Sequence, residues 1–181
     1  MSVSTCILIA VNAEDCSFSL VWGRRGVLAG LVLLLWGPVL AQGQSYVGKG
    51  HRVLDGDTIH LLRETGQIVR VELYGIDAPE RGQPFADAAA QVVRRVVFRT
   101  DVQARAETDG PDGRSAFVVR VNDRVLNEHL LRNGLAWWDR GQAPHNDQYR
   151  RLEQQARANE RGLWAQSDPV PPWTWRGEEG P

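Results

Sequence analysis

A change of hydrophobic period constrains this chain most. Over residues 68–76 apolar and polar side chains alternate, with Val69, Val71 and Leu73 on one face and Arg70, Glu72 and Tyr74 on the other. A period of two marks a strand with one buried face. Over residues 84–98 the apolar positions Phe85, Ala88, Ala89, Val92, Val93 and Val96 recur at helical spacing, and Pro84 suits a first turn. Strand candidates precede this segment at 46–54 and 58–63, separated from the next strand by the polar turn Glu64-Thr65-Gly66-Gln67. Two more follow at 102–107 and 116–121. A short helix over 126–131 stops near Gly134. A last one over 147–160 carries Tyr149, Leu152 and Ala156 as its stripe and ends at Gly162, with Trp164 packing back. Strands first and helices later predict an α+β domain, closed as a five-stranded OB-type β-barrel with about three helices. The Pro- and Trp-rich stretch 168–175 is expected to lie as an extended strap.

The 181 residues suit one domain with one core. Residues 21–41 read as a signal peptide: Arg24 and Arg25 form its positive start, 27–36 are apolar, and Ala41 precedes a cleavage point before Gln42. The apolar run is shorter than the ~20 residues that span a bilayer, so cleavage is expected rather than anchoring. Residues 1–20 contain Glu14 and Asp15, do not continue this pattern, and hold the only methionine. Translation is therefore expected to start near Leu20 or Val21 at a non-ATG codon, which makes 1–20 an upstream extension. The mature chain then divides into a domain over 42–166 and a tail over 167–181. Its expected location is secreted or periplasmic, as a monomer with no stable membrane association. Both cysteines, Cys6 and Cys16, fall in the removable part, so the domain would rely on its core rather than on disulfides.

Lys plus Arg number 21 and Asp plus Glu 22, a net charge of -1. That balance does not advertise a nucleic-acid binder, and any phosphate contact has to come from local placement. Lys49 is the only lysine. An Arg-rich chain suits bidentate phosphate recognition, though GC-rich codon usage produces the same excess.

Local placement is informative at two acidic turns, Asp55-Gly56-Asp57-Thr58 and Gly75-Ile76-Asp77-Ala78-Pro79-Glu80. A hairpin of the second and third strands sets the start of one beside the end of the other, so Asp57 and Asp77 can face each other. Two close carboxylates repel unless a cation lies between them. Hard oxygen ligands on loops favour Ca²⁺ over zinc. Glu80, beyond the stiff Pro79, could orient or deprotonate a water. A further loop, Thr108-Asp109-Gly110-Pro111-Asp112-Gly113-Arg114, could bring a guanidinium to a phosphate beside the metal. Taken singly, each motif is also an ordinary turn, a helix cap or a surface arginine; the chemical reading rests on their joint order.

That order resembles the staphylococcal-nuclease-like (thermonuclease) family. The likeness extends to Leu126-Asn127-Glu128, Gly134-Leu135-Ala136, Arg161-Gly162-Leu163-Trp164 and the tail Pro169-Val170-Pro171-Pro172-Trp173-Thr174-Trp175-Arg176, which looks like that of secreted bacterial members. It spans roughly residues 46–176. The resemblance implies an OB-type barrel and Ca²⁺-dependent hydrolysis of DNA and RNA to 3′-phosphate ends. Under it, Asp57, Asp77 and the carbonyl of Ala78 hold Ca²⁺, Glu80 acts on the attacking water, and Arg114 stabilises the transition state.

The chain departs from the family at Glu72, which stands where the pattern has a second catalytic arginine, five residues before Asp77. A carboxylate there repels the scissile phosphate. Arg70, two residues earlier on the same strand face, is a candidate substitute at an offset of about 6.8 Å. The loop before Arg114 also lacks the family's usual aromatic residue, with Pro111 and Asp112 in its place. Trp137 and Trp138 fall in a region that lines the family's nucleotide pocket, where they could stack on a base or belong to the core. The alternative function is a catalytically impaired OB module that binds nucleic acid or protein.

Overall fold

The computed structural model describes residues 44–109 and 115–178. The expected upstream extension and signal peptide over 1–41, and Arg114, lie outside the described residues. In chain order the elements are β1 (Ser45–Val53), β2 (Thr58–Leu62), β3 (Ile68–Leu73), β4 (Ile76–Asp77), α1 (Ala86–Val97), β5 (Asp101–Asp109), β6 (Ser115–Val121), β7 (Arg124–Val125), α2 (Leu126–Arg132), β8 (Trp137–Trp138), α3 (Asp147–Ala158) and α4 (Pro172–Glu178). A 3-10 turn, Gly162–Ala165, follows α3.

β1, β2 and β3 form an antiparallel meander in which Thr58 lies opposite Glu72 and Leu62 opposite Ile68. β5 pairs with the other edge of β1, and β6 with β5. β6 then runs parallel to β3, with Glu72 opposite Ala116 and Leu73 opposite Phe117. That pairing closes the expected five-stranded barrel. Closure leaves its strands no long free edge. Bulges between Gly50 and Arg52 and between Ala106 and Thr108 give the strands the bend that closure requires. The inward period-two set, including Ile59, Leu61, Val71, Leu73, Val102 and Val119, is fully buried.

The helices cover the barrel with the faces that their spacing assigns. α1 buries Ala89, Val93 and Val97. α2 buries Leu126, Leu130 and Leu131 together with the polar Asn127. α3 starts at Asn146, whose side chain accepts the Tyr149 N–H at 3.0 Å, and buries Tyr149, Leu152 and Ala156.

Two expectations need correction. The third strand ends at Leu73 rather than running to Ile76, because the chain turns at Gly75 with φ of 70°. A Cβ at that position would sit 2.8 Å from that of Ala143 and 2.9 Å from the Tyr149 ring, so the tight turn needs glycine. Ile76 and Asp77 instead pair with Trp138 and Trp137 in a small separate ladder. The strap over 168–175 is not wholly extended, since Pro172–Glu178 is helical. Proline is harmless in a first turn, where its fixed φ is already helical and its missing N–H has no partner to lose.

Candidate active site

The first acidic turn is organised by its own side chains. The Asp55 carboxylate accepts the N–H groups of Asp57 at 3.2 Å and Thr58 at 2.6 Å, which tightens the connection from β1 to β2. The Asp57 carbonyl accepts the Leu73 N–H at 2.9 Å, so this turn is fastened to the end of β3. Its carboxylate reaches the second acidic turn, where Oδ2 accepts the Ala78 N–H at 2.7 Å, while Thr58 Oγ1 donates to Oδ1 at 3.2 Å. Gly56 permits the approach: a Cβ there would lie 2.6 Å from that of Ala78 and 2.9 Å from that of Ala89. The Ala78 N–H thus ties Asp57 to the turn that carries residues 77, 78 and 80.

Burial pushes the Asp57 carboxyl well above the usual carboxylate range, with the nearby Asp55 charge adding to the rise. Asp77 is also raised, chiefly by burial, even though hydrogen bonds from Arg176 oppose the shift. Each acid raises the other or is raised by a neighbouring acid, which is the condition that a bound cation relieves. Ala78 is buried, and among the described residues its carbonyl accepts no hydrogen bond. Among the described residues no group of three or more His, Cys, Asp and Glu is placed to hold a metal ion. The two turns thus offer carboxylate and carbonyl oxygens, the hard donors that an ion such as Ca²⁺ takes.

Arg176, on α4, was not among the residues expected here. Its Nη1 and Nη2 donate to Asp77 Oδ1 at 3.2 Å and Oδ2 at 2.8 Å, and Nη1 also donates to Glu80 Oε1. The contact joins residues 99 and 96 positions apart. No local pattern signals it; the tail motif alone singled out the segment. The Asp77 side chain is 16% exposed and that of Arg176 50%, so the ion pair closes over the acid from the solvent side.

The remaining candidates divide. Glu72 faces Thr58 across the β2–β3 ladder, next to Asp57, and its carboxylate lies 3.9 Å from the Arg70 guanidinium. Arg70 thus sits beside Glu72 and is not hydrogen-bonded to Asp57, Asp77 or Glu80. Trp137 and Trp138 are buried, at 3% and 7% exposure. Trp137 meets Trp164 edge-on with centroids 5.5 Å apart, and the Trp138 indole N–H donates to the Ala143 carbonyl at 3.0 Å. Their β-ladder with Ile76 and Asp77 ties them to the second acidic turn, and both also line a cavity together with Arg140, Arg157 and Trp173. The polar residue that fixes this region is Glu153, 4% exposed, which accepts the Trp138 N–H at 3.2 Å and faces Arg157 at 3.4 Å.

Comparison with known proteins agrees with this geometry. The family described as "Staphylococcal nuclease homologue" matches residues 70–166, from β3 through the 3-10 turn. The chain is 36% identical to "Protein ParB" of Escherichia coli over 165 residues, covering 85% of this chain and 90% of that protein. It is 34% identical to a "Micrococcal nuclease" of Shigella flexneri, covering 84% of this chain and 91% of that one. An "Uncharacterized endonuclease" of Escherichia coli O157:H7 is also 34% identical, over 84% of this chain and 97% of its own length.

Proposed function

From its membership of the staphylococcal nuclease family, to which this chain belongs, we infer that it is a nuclease hydrolysing phosphodiester bonds of DNA and RNA with Ca²⁺. The observation that carries this reading is the joining of the two acidic turns through Asp57 Oδ2 and the Ala78 N–H. Asp57, Asp77 and the Ala78 carbonyl would hold Ca²⁺, and the ion would supply positive charge for the negative charge that develops on phosphorus. Glu80, 37% exposed, can take a proton from a water approaching the phosphate. Arg114 is assigned, from the family resemblance, to the phosphate oxygens and the departing 5′ oxygen, leaving 3′-phosphate ends. Export through the segment over 21–41 belongs to the same proposal, and fractionation of cells followed by N-terminal sequencing of the product tests it.

Glu72 supports a second reading. A carboxylate on β3 beside Asp57 opposes an incoming phosphate, and Arg70 at 3.9 Å is placed to offset its charge rather than to replace an arginine at that position. The second reading is a slowed or impaired nuclease that retains nucleic-acid or protein binding. One experiment separates the two: cleavage of single-stranded DNA by the purified full chain, with Ca²⁺ and with EGTA, beside Glu80→Gln and Glu72→Arg. Cleavage that needs Ca²⁺ and falls about 10²–10⁴-fold in Glu80→Gln supports the nuclease. A silent native chain with an active Glu72→Arg variant supports the impaired module.

A further inference from the structure

The candidate site is strongly acidic for an enzyme whose substrate is a polyanion. Asp55, Asp57, Asp77 and Glu80 converge on it and Glu72 lies alongside. Phosphodiester binding at such a site requires a cation held close by. Among the described residues, Arg176 is the only basic side chain hydrogen-bonded to Asp57, Asp77 or Glu80. Resting on the nuclease reading above, we propose that Arg176 is a substrate-binding residue that grips a phosphate oxygen beside the scissile bond, which makes the C-terminal segment part of the active site.

The disposition of the guanidinium carries the proposal. Its bonds to Asp77 and Glu80 use both hydrogens of Nη1 and one of Nη2. The Nε hydrogen and the second Nη2 hydrogen take no partner among the described residues, and half of the side chain faces solvent. Those two donors are on the solvent-facing part of the fork, where an incoming oxygen can reach them. Anchored guanidinium groups of this kind bind phosphate at low entropic cost because the fork is already oriented.

The segment is also held where the chemistry is. Gln83, 6% exposed, accepts the Glu80 N–H on its Oε1 at 2.6 Å and donates from Nε2 to the Val170 carbonyl at 3.1 Å. One side chain therefore links the loop that carries Glu80 to the segment that carries Arg176. Pro172 at the head of α4 is buried, and the Trp175 ring lies 4.0 Å from where a Cβ on Gly82 would stand. The arginine is delivered by a docked helix.

Steady-state cleavage of single-stranded DNA and calorimetric Ca²⁺ binding by the full chain test this, with Arg176→Ala, Arg176→Gln and Arg176→Lys compared at one salt concentration. Thermal midpoints establish that the variants fold. The expected result is a KM raised about ten- to a hundred-fold in Ala and Gln, the worth of one or two charge-assisted hydrogen bonds, with kcat changed little and Lys recovering part of the loss. Ca²⁺ affinity should hold or tighten, since a competing cation on Asp77 has been removed. An unchanged KM overturns the proposal. So does a rise in kcat/KM, which would make α4 an inhibitory cover, or a collapse of Ca²⁺ binding, which would give Arg176 the task of positioning Asp77. A native chain that neither binds Ca²⁺ nor cuts overturns the nuclease reading itself, whereas any of the other adverse results with an active native chain strikes this proposal alone.

Discussion

Asp57 holds its carboxylate where burial and Asp55 both oppose ionisation. Its folded-state pKa lies well above the ordinary aspartate value, so the folded chain keeps this proton to higher pH than the unfolded chain does. Stability from this group is therefore present below the folded value and declines as pH rises through it. Asp57→Asn removes the charge but keeps an oxygen for the Ala78 N–H. In EGTA at neutral pH the variant should be more stable than the native chain, with the difference vanishing on acidification below the ordinary aspartate range, as thermal melts would read. Calorimetry should show its Ca²⁺ binding lost. A variant less stable at neutral pH would mean that the charge is already compensated. The reversed charge at Glu72 is the second residue-scale matter. Glu72→Arg should raise kcat/KM by about 10²-fold or more, the usual worth of one transition-state donor, and Glu72→Gln by less. Equal kinetics in all three would remove Glu72 from the phosphate path.

The turn at the end of β3 depends on α2. Asn127 is fully buried, its Oδ1 accepting the Val119 N–H at 3.0 Å and its Nδ2 donating to the carbonyls of Tyr74 at 3.0 Å and Phe117 at 3.1 Å. One amide thereby joins α2, β6 and the residue before Gly75, from which the chain enters the second acidic turn. Asn127→Ala strands the Val119 N–H and the Tyr74 carbonyl, leaves the Phe117 carbonyl only the Tyr74 N–H, and should cost about 3 kcal/mol, seen as a lower urea midpoint with an unchanged m-value. A cost below ~1 kcal/mol would mean that water replaces the amide. The elements themselves were largely legible. The alternation at Val69, Val71 and Leu73 and the helical spacing from Phe85 to Val96 record burial directly, since both periods follow from which face meets the core. The acidic turns were legible as motifs because local hydrogen bonding needs Asp and Gly at fixed spacing. Helix α4 was not, because Pro171, Pro172 and two tryptophans suppress the usual pattern. Nor was the bond from Arg176 to Asp77, which depends on where the whole barrel leaves its C-terminal segment. Trp137 and Trp138 were ambiguous for the same reason: an aromatic pair looks alike in a core and on a binding face until the ladder with Ile76 and Asp77 is known.

At the scale of the molecule, the proposed Ca²⁺ site would make the fold and its cation mutually dependent. The barrel brings Asp57 and Asp77 together against their repulsion, and a cation that binds only this assembled arrangement stabilises the folded state by mass action. At a free Ca²⁺ concentration about a hundred times the dissociation constant the gain is about 2.7 kcal/mol, which for a domain of this size is roughly a ten-degree rise in thermal midpoint. Protons compete for the same oxygens. Because burial raises both acids, that competition begins at a higher pH than it would for exposed aspartates. The Ca²⁺-induced rise should therefore be largest at neutral pH and shrink steadily on acidification, while in the metal-free chain these two carboxyls add stability as they take up protons. Melting the full chain with Ca²⁺ and with EGTA across that range reads both curves at once. A Ca²⁺ effect independent of pH would place the ion away from Asp57 and Asp77. In Arg176→Ala the rise at neutral pH should hold or grow, because Asp77 no longer shares its charge with α4, and it should fall off at a higher pH, because Arg176 no longer holds the Asp77 pKa down.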